Sequence, residues 1–447
     1  MIDKRPALKQ ILLKQTILWI LVFIFLVSII CLTLPARVFG NTYSNISSSN
    51  NSSNRNSDNV NKEANDEIDL SAESAIVMDY NTGDIIWEKN SIKEVFPAST
   101  TKMVTTIIAI ENINDYNKIV KISKNASGRN HSAFRFRTGD RISLMDLLKA
   151  SLICSHNNAT IALAEYVSGS VEDFVKLMNL KAREIGAVNS NFQNTNGLDQ
   201  DYPQHKTTAY DLALIAKYCL KNDLFRQIVK TKKDYIEIND KEVEINTTNE
   251  LLQSYDYIKG VKTGYTDNAG YCIVLYSDKN DLELITVILN CSSLDNRKDD
   301  SLKLLNWVYS NFDYMKIVDS NKIIKTINIG SSAKVDIDLY PDSDFTKLVN
   351  ISSDKIDLKY NIGEGIDLPI FKNQKLGDLD IYINGEKQTG VNLISKDSIE
   401  KPYIYQKLEN QKEIQSRKIL IFLIVFYFFV FIFIIVRNLF IGRRGYS

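Results

Sequence analysis

Two long apolar runs, one near each end of the chain, constrain its topology more than any other feature of the sequence. The first covers residues 16–34, carries no charge and follows four basic side chains. The second, residues 419–436, has about the length that an α-helix needs to cross a bilayer, and arginines follow it. By the positive-inside rule both termini are cytoplasmic. We therefore expect a transmembrane helix at 419–436, a lipid bilayer as a partner, and an exported body on the extracytoplasmic face of the cell membrane.

The N-terminal part leaves two interpretations open. In residues 1–40, the small-residue pattern at 38–40 favours a cleaved signal peptide, whereas the length of the apolar run favours an uncleaved anchor. Residues 41–68 are rich in Asn and Ser with almost no large apolar side chains, which predicts a disordered linker. At the other end, residues 401–418 form a juxtamembrane segment before the membrane helix.

The exported body divides into two parts by its sequence pattern. Residues 69–315 begin with a hairpin pattern, continue with helical patterns and return to strands, which predicts an α/β (α+β) domain with a mostly antiparallel sheet. Residues 316–400 contain short alternating strands separated by turn residues, which predicts a small all-β domain. The expected helices are Thr101–Asn112, Leu144–Ile153, Val171–Ile185, Thr208–Leu220 and about Asp300–Tyr309, and the expected later strands are Gly260–Thr263, Tyr271–Tyr276 and Leu284–Leu289.

Composition excludes several functional classes. Lys and Arg together number 54, as do Asp and Glu, and no basic stripe is interleaved with aromatic residues, so we expect no nucleic-acid partner. The three histidines are scattered and the cysteines lack metal-ligand spacing, so we expect no metal and no cofactor. We interpret the four cysteines of the body as small core residues, although this compartment leaves a disulfide open.

The stretch PASTTKM places a serine and a lysine one helical turn apart. Pro97 precedes Ser99, and the strongly helical run Thr101–Asn112 follows. Ser99 therefore falls near a helix N-terminus, where free backbone N–H groups favour an oxyanion. Lys102 shares its face and, when desolvated, can lose its proton and act as a base. The alternative is a helix cap followed by a surface lysine, and Ser352-x-x-Lys355 in the β-rich region shows that this spacing alone is weak.

Two further motifs follow along the chain. Ser155-His156-Asn157 comes after an apolar helical pattern and is interpreted as a loop. Lys262-Thr263-Gly264 lies in a predicted strand flanked by glycines, and small residues there would let a substrate backbone lie alongside. The alternatives are ordinary turn residues and a charge on a strand edge.

The order SxxK, SxN and KTG resembles the signature of penicillin-binding proteins and class A β-lactamases. MDYNTGDIIWEKN before PASTTKMVT, NTNGLD before HKTTAYDLALIA, and KTGYTDNAGYC are similar to stretches of the serine D-Ala-D-Ala carboxypeptidases, the low-molecular-weight penicillin-binding proteins of peptidase family S11. The resemblance covers roughly residues 71–401. It implies a β-lactamase/transpeptidase-like catalytic domain, peptidoglycan stem peptides ending in D-Ala-D-Ala as substrates, and β-lactams as inhibitors.

The resemblance also implies a role for each motif residue. Ser99 would attack the terminal D-Ala-D-Ala bond, Lys102 would take its proton, and Ser155 would protonate the leaving D-alanine. The residues implied to bind substrate are Asn157, Lys262, Thr263, Gly264, Tyr265 and Arg297. Among these, Thr263 and Arg297 would hold the terminal carboxylate, and the backbone N–H groups of Ser99 and Tyr265 would form the oxyanion hole. Arg297 rests on a loose local match, and a surface arginine is its alternative.

One departure from the family and three rival functions stay open. The family often has Asp after the SxN asparagine, but this chain has Asn158, from which we expect an altered rate or pH profile. A D,D-endopeptidase acting on cross-links uses the same motifs, and a non-catalytic wall-binding scaffold would keep the fold. A β-lactamase is disfavoured because no Glu-x-x-Leu-Asn stretch lies between Ser155 and Lys262.

Overall fold

The computed structural model describes residues 14–15, 17–18, 68–128, 132–329 and 335–441. The expected signal peptide or anchor at 1–40 and the linker at 41–68 lie outside the described residues, except for the few named here. Residues 61–447 form one compact unit, and its described part carries all that follows.

A five-stranded antiparallel sheet organises the first part of this unit, as the sequence predicted. The strand order is β2-β1-β9-β8-β7, so β7 lies at one edge. The first and last of these five strands along the chain, β1 and β9, pair with each other near the centre of the sheet. The strands are β1 Ser74–Asp79, β2 Ile85–Lys89, β7 Ile258–Thr266, β8 Gly270–Lys279 and β9 Leu282–Cys291.

Both faces of this sheet are covered. Successive side chains of a strand point to opposite faces, and in β1 Ile76 and Met78 join one hydrophobic core while Ala75 and Val77 join another. Helices α1–α6 pack their apolar residues into the first core, and α7 and α8 pack theirs into the second. The helices are α1 Lys102–Asn112, α2 Leu144–Leu152, α3 Asn157–Ser168, α4 Val171–Ile185, α5 Ala209–Leu220, α6 Asp223–Val229, α7 Glu250–Ser254 and α8 Leu294–Asn311.

The structure differs from the sequence-based expectation in several elements. Asn157 is not a loop residue, because it begins α3, a helix that the patterns did not reveal. Helix α8 begins at Leu294, six residues before the expected start, where Ser293 caps it by accepting from the Asn296 N–H. Two small hairpins were also not predicted, formed by β3 Ile119–Lys121 with β4 Arg141–Ser143 and by β5 Lys233–Ile238 with β6 Lys241–Asn246.

Beyond α8 the described residues form strands and one last helix. Five strands make a second sheet in the order β11-β12-β16-β15-β14, while β10 pairs with β13. A separate hydrophobic core lies under these strands. The all-β fold expected for this region is thus confirmed. The strands are β10 Phe312–Val318, β11 Lys325–Ile329, β12 Val335–Pro341, β13 Phe345–Asn350, β14 Ile356–Ile362, β15 Lys375–Ile383 and β16 Glu386–Ser395.

Helix α9 spans Tyr403–Ile441 and includes the second apolar run. By length and composition, its segment Gln406–Arg437 is long and apolar enough to cross a membrane. Its large apolar side chains are exposed.

Candidate active site

Ser99 lies in a short 3₁₀ turn, Ala98–Thr101, that runs directly into α1. Pro97 precedes this turn, and Thr100 Oγ1 donates to the Pro97 carbonyl, which closes it. Ala98 has φ +46°, a conformation that a residue with a Cβ adopts at a cost of about 1–3 kcal/mol and that clusters at functional sites. The serine therefore stands at a helix N-terminus, as the sequence predicted.

Lys102 is fully buried at the start of α1 and contacts three oxygen atoms. Its Nζ lies 2.6 Å from Ser99 Oγ, 2.6 Å from Asn157 Oδ1 and 2.8 Å from the Asn196 carbonyl oxygen. Burial lowers the pKa of Lys102 well below its ordinary value, and the positive charge of Lys262 acts in the same direction. A neutral amine beside a hydroxyl has the lone pair that a general base needs.

The SxN motif bridges the end of α2 and the start of α3. Ser155 has φ +59°, again a strained conformation for a residue with a side chain. Two residues later, Asn157 Oδ1 lies 2.6 Å from Lys102 Nζ. The structure thus brings the first two motifs together through one lysine. Among the described residues, no side chain forms a hydrogen bond with the Ser155 hydroxyl.

His156, the middle residue of the motif, has a structural task that its sequence context did not reveal. Its Nδ1 caps α3 by accepting from the Ala159 N–H at 3.3 Å, and its Nε2 lies 3.0 Å from the Phe134 carbonyl oxygen. Phe134 and Phe136 place their ring centroids 4.3 Å from the imidazole. Burial lowers the pKa of His156 to about 4, which leaves the ring neutral at pH 7. The loop that carries Phe134 and Phe136 is thereby tied to the motif.

Asn158 contacts the same loop. Its side chain is buried, its Nδ2 donates to the Ser127 carbonyl at 3.1 Å, and its Oδ1 accepts from Ser132 Oγ at 3.4 Å. Ser132 Oγ also accepts from the Asn157 N–H at 2.9 Å. The amide, which departs from the family's frequent Asp, is therefore used as both donor and acceptor, and a carboxylate could not donate to the carbonyl.

The third motif lies on β7, the edge strand, and packs against the turn of Ser99. Gly264 leaves no room for a side chain, because a Cβ there would lie 2.9 Å from the Ser99 backbone nitrogen. Lys262 is buried, and its Nζ donates to the Thr263 carbonyl at 2.8 Å. Burial lowers the pKa of Lys262 to about 7, with the positive charge of Arg297 adding to the effect. This strand therefore brings a second lysine and a glycine to the nucleophile.

The stretch NTNGLD supplies backbone groups that the motif analysis missed. The Asn196 carbonyl accepts from Lys102 and, at 3.4 Å, from Ser99 Oγ. Gly197 follows with φ +91°, and a Cβ there would lie 1.7 Å from the Ala98 carbonyl oxygen. Only glycine fits at this position. The pair Asn196-Gly197 was the sequence signal for such a turn. No side chain, however, indicates in advance which backbone carbonyl will accept a hydrogen bond.

Thr263 and Arg297 each form hydrogen bonds within the chain. Thr263 Oγ1 lies 2.6 Å from Thr248 Oγ1. Arg297 is buried, and its Nη2 donates to both carboxylate oxygens of Glu250, at 2.8 and 2.9 Å. Nη1 donates to the Cys272 carbonyl at 3.3 Å. The arginine is thus not on the surface, and the chain's own carboxylate already occupies it.

Tyr265, the residue after the KTG motif, is half exposed at the end of β7. Its ring stacks at 4.4 Å on Tyr271, and its hydroxyl donates to Asp267 at 3.0 Å. His205 is buried; its Nε2 lies 2.8 Å from Thr101 Oγ1, and its Nδ1 accepts from the Gln193 N–H at 2.9 Å.

All four cysteines of the described body are buried and free. The described residues contain no group of three or more His, Cys, Asp or Glu side chains that could hold a metal ion.

The arrangement has the parts of a serine acyl transferase. It has a hydroxyl at a helix N-terminus, a desolvated amine in contact with that hydroxyl, a second hydroxyl on the next motif, and a strand edge along which a peptide can lie. Such a set fits acyl transfer through an ester at the serine.

Comparison with known proteins places this arrangement in a family. Residues 59–293 match the family profile of D-alanyl-D-alanine carboxypeptidase, peptidase S11, and residues 312–401 match the C-terminal domain of penicillin-binding protein 5. The chain is 32% identical over 343 residues to D-alanyl-D-alanine carboxypeptidase DacF of Bacillus subtilis, which covers 75% of this chain and 87% of the relative.

Two solved structures share the fold. One is D-alanyl-D-alanine carboxypeptidase DacD from Francisella tularensis, at 26% identity and TM-score 0.57 over 75% of this chain and 95% of the other. The second is penicillin binding protein 5 from Haemophilus influenzae, at 26% identity and TM-score 0.57 over 75% and 99%. By sequence and by fold, the chain belongs to the D-alanyl-D-alanine carboxypeptidase family, peptidase S11.

Proposed function

We propose that this chain removes the terminal D-alanine from peptidoglycan stem peptides ending in D-Ala-D-Ala, through an acyl-enzyme on Ser99. The observation that carries the proposal is the contact of one buried, desolvated lysine with Ser99 Oγ and Asn157 Oδ1. Four family motif residues, Ser99, Lys102, Ser155 and Lys262, are all present, and a scaffold without catalysis has no need of them.

Acylation follows from the geometry. Neutral Lys102 takes the proton of Ser99 Oγ while the oxygen attacks the carbonyl carbon between the two D-alanines. The backbone N–H groups of Ser99 and Tyr265 stabilise the oxyanion. Ser155 donates a proton to the nitrogen of the leaving D-alanine as the C–N bond breaks, and the proton that Lys102 took from Ser99 replaces it on Ser155. Water then hydrolyses the ester, which returns Ser99 and releases the shortened peptide.

Substrate binding uses the strand edge and the third motif. Among the described strands, β7 pairs only with β8, so its outer edge can add a peptide as a further strand. Asn157 holds the substrate amide, Lys262 supplies positive potential near Ser155, and Gly264 lets the peptide approach the turn of Ser99. Thr263, with Arg297, receives the terminal carboxylate. A β-lactam would acylate Ser99 in the same way because its ring amide mimics the scissile bond.

We propose that the reaction takes place outside the cell. We propose that 69–315 is the catalytic domain and 316–400 an all-β pedestal that holds it near the wall. Residues 419–436, inside α9, would cross the lipid bilayer, with 401–418 joining them to the pedestal. The apolar side chains along this helix are exposed, which supports a lipid environment.

The test uses the full chain in detergent, its Ser99→Ala variant and a matched Ser352→Ala control, which lies in another SxxK sequence of the same chain. Each is mixed with a stem pentapeptide ending in D-Ala-D-Ala and, separately, with a cross-linked peptide dimer. We expect free D-alanine from the pentapeptide with the parent and the control, and none with Ser99→Ala. Cleavage of the dimer alone would support the endopeptidase, and cleavage of neither substrate would support the scaffold.

A further inference from the structure

The pairing of Arg297 with Glu250 bears on how the site would recognise the end of its substrate. Arg297 lies near the start of α8 and Glu250 is the first residue of α7, so the two are 47 positions apart in sequence. Both carboxylate oxygens accept from the same Nη2. The charge of Arg297, expected to meet a substrate carboxylate, is therefore neutralised from within the chain.

The position of Glu250 is fixed by its neighbours. Asn249 caps α7 by accepting from the N–H groups of Leu251 and Leu252, and these two leucines are buried. Thr248, one residue before this cap, contacts the hydroxyl of Thr263 in the third motif. The Glu250 side chain is thus held next to the motif, yet it is 32% exposed, against 5% for Arg297.

These contacts do not use every N–H donor of Arg297. Its Nη2 serves Glu250 and its Nη1 serves the Cys272 carbonyl, but no group among the described residues accepts from its buried Nε. Buried arginines with a purely structural task have their donors satisfied. A buried guanidinium with an unused donor, beside an exposed and exchangeable carboxylate, suits a group whose acceptor changes when a ligand binds.

We propose that Glu250 is a positioning residue that sets specificity: it competes with the terminal carboxylate of the substrate for Arg297. This inference rests on the proposed function, in which Arg297 and Thr263 receive that carboxylate. A substrate carboxylate that approaches Arg297 meets the negative charge of Glu250 and has to displace it or share the arginine. Substrate binding therefore depends less on the terminal carboxylate of the substrate than it would if Arg297 had no ion-pair partner within the chain.

The test compares two acylated tripeptides, one ending in D-Ala-D-Ala and the other in D-Ala-D-alaninamide, which lacks the carboxylate. Glu250→Gln keeps the shape of the side chain and removes its charge, and Glu242→Gln, on the exposed hairpin β5–β6, is the matched control. We expect Glu250→Gln to lower KM for the carboxylate peptide about tenfold, the effect of one charge-assisted hydrogen bond, with kcat unchanged. KM for the amide peptide and both KM values of the control should not move.

Two further measurements test whether Glu250 acts through Arg297 and whether each variant folds. In an Arg297→Gln background the effect of Glu250→Gln should vanish, because Glu250 acts through the arginine. A persistent effect, an equal change for both peptides, or a higher KM for the carboxylate peptide would each overturn the proposal. Thermal unfolding of each variant verifies folding.

A second readout keeps this test separate from the carboxypeptidase reaction. The acylation rate of Ser99 by a penicillin is compared with the rate for its methyl ester, and the ratio should rise about tenfold in Glu250→Gln. If the parent chain is acylated but releases no D-alanine, the proposed function fails while this ratio still decides the role of Glu250. A parent that is not acylated at all overturns both proposals.

Discussion

The Nζ atom of Lys102 lies 2.6 Å from Ser99 Oγ and, at the same distance, from Asn157 Oδ1. One buried amine thus joins two motifs that are 55 positions apart in sequence. Its environment, in which burial and a second lysine both disfavour the ammonium form, is the physical reason why this pair can act as nucleophile and base.

Removal of the amine should abolish acylation while the fold persists. Lys102→Met fills the same buried space without a base, and we expect the acylation rate to fall by about 10²–10⁴-fold, the usual contribution of a general base. Stopped-flow acylation by a fluorescent penicillin measures this. Lys118→Met, at an exposed lysine, is the control and should react like the parent. An acylation rate within tenfold of the parent would exclude Lys102 as the base.

A methyl group on Gly264 should displace the turn of the nucleophile. In Gly264→Ala the Cβ would lie 2.9 Å from both the Ser99 nitrogen and the Ala98 Cβ, so the turn or the strand has to shift. Because small misplacements of reacting groups cost about 10²-fold, we expect a loss of that size in kcat/KM. Gly363→Ala, whose Cβ would meet nothing nearer than 3.4 Å, is the control. Unchanged kcat/KM in Gly264→Ala would mean that the strand does not press on the turn.

Restoring the acid after the SxN motif should destabilise this chain. Asn158→Asp replaces a buried N–H donor by an oxygen that faces the Ser127 carbonyl. We expect the free energy of unfolding to fall by about 1–3 kcal/mol at pH 7. Urea unfolding measures it, with Asn125→Asp as an exposed control in which the new carboxylate faces Glu165 and the loss stays small. A variant as stable as the parent would contradict the assigned donor and acceptor pattern.

Acid should weaken the fold through two buried histidines. Burial lowers the pKa of His205 to about 3 and that of His156 to about 4, whereas an unfolded histidine titrates near 6.5. Between these values the unfolded chain binds the additional protons, so stability is lost as pH falls below about 6.5. Each histidine contributes about 1.4 kcal/mol per pH unit in that window.

Urea unfolding at pH 7, 6 and 5 tests this acid dependence. His205→Gln should be less stable than the parent at pH 7, because its contact with Thr101 changes, yet lose less stability on going to pH 5. The same slope in parent and variant would show that His205 is not the titrating group.

Most residues of the candidate active site could be predicted because they lie in short local motifs. The turn before α1 could be inferred from Pro97 and the helical run after it, and the antiparallel sheet from strands at both ends of the domain. Helix α3 was missed because its first residues are consecutive asparagines and its cap is the imidazole of His156, an unusual capping group. The β5–β6 hairpin was missed although alternation and the Asn239-Asp240 turn indicated it.

The remaining contacts depend on partners that are distant in sequence. Nothing in the sequence around Glu250 links it to Arg297, because the pair forms only when α7 packs beside β7 and α8 packs beside β8. The Asn196 carbonyl, likewise, is a backbone group that the fold brings to Lys102. Sequence patterns identify the residues that carry the chemistry more readily than the backbone groups and ion pairs that hold those residues in place.

The most direct measurement of the central claim is the site of covalent trapping. The full chain is incubated with benzylpenicillin, its intact mass is recorded, and the modified peptide is located by mass spectrometry after digestion. We predict one adduct per chain, on the peptide that contains Ser99, and none in Ser99→Ala. An adduct on any other residue, or one that persists in Ser99→Ala, would contradict the assignment of Ser99 as the nucleophile.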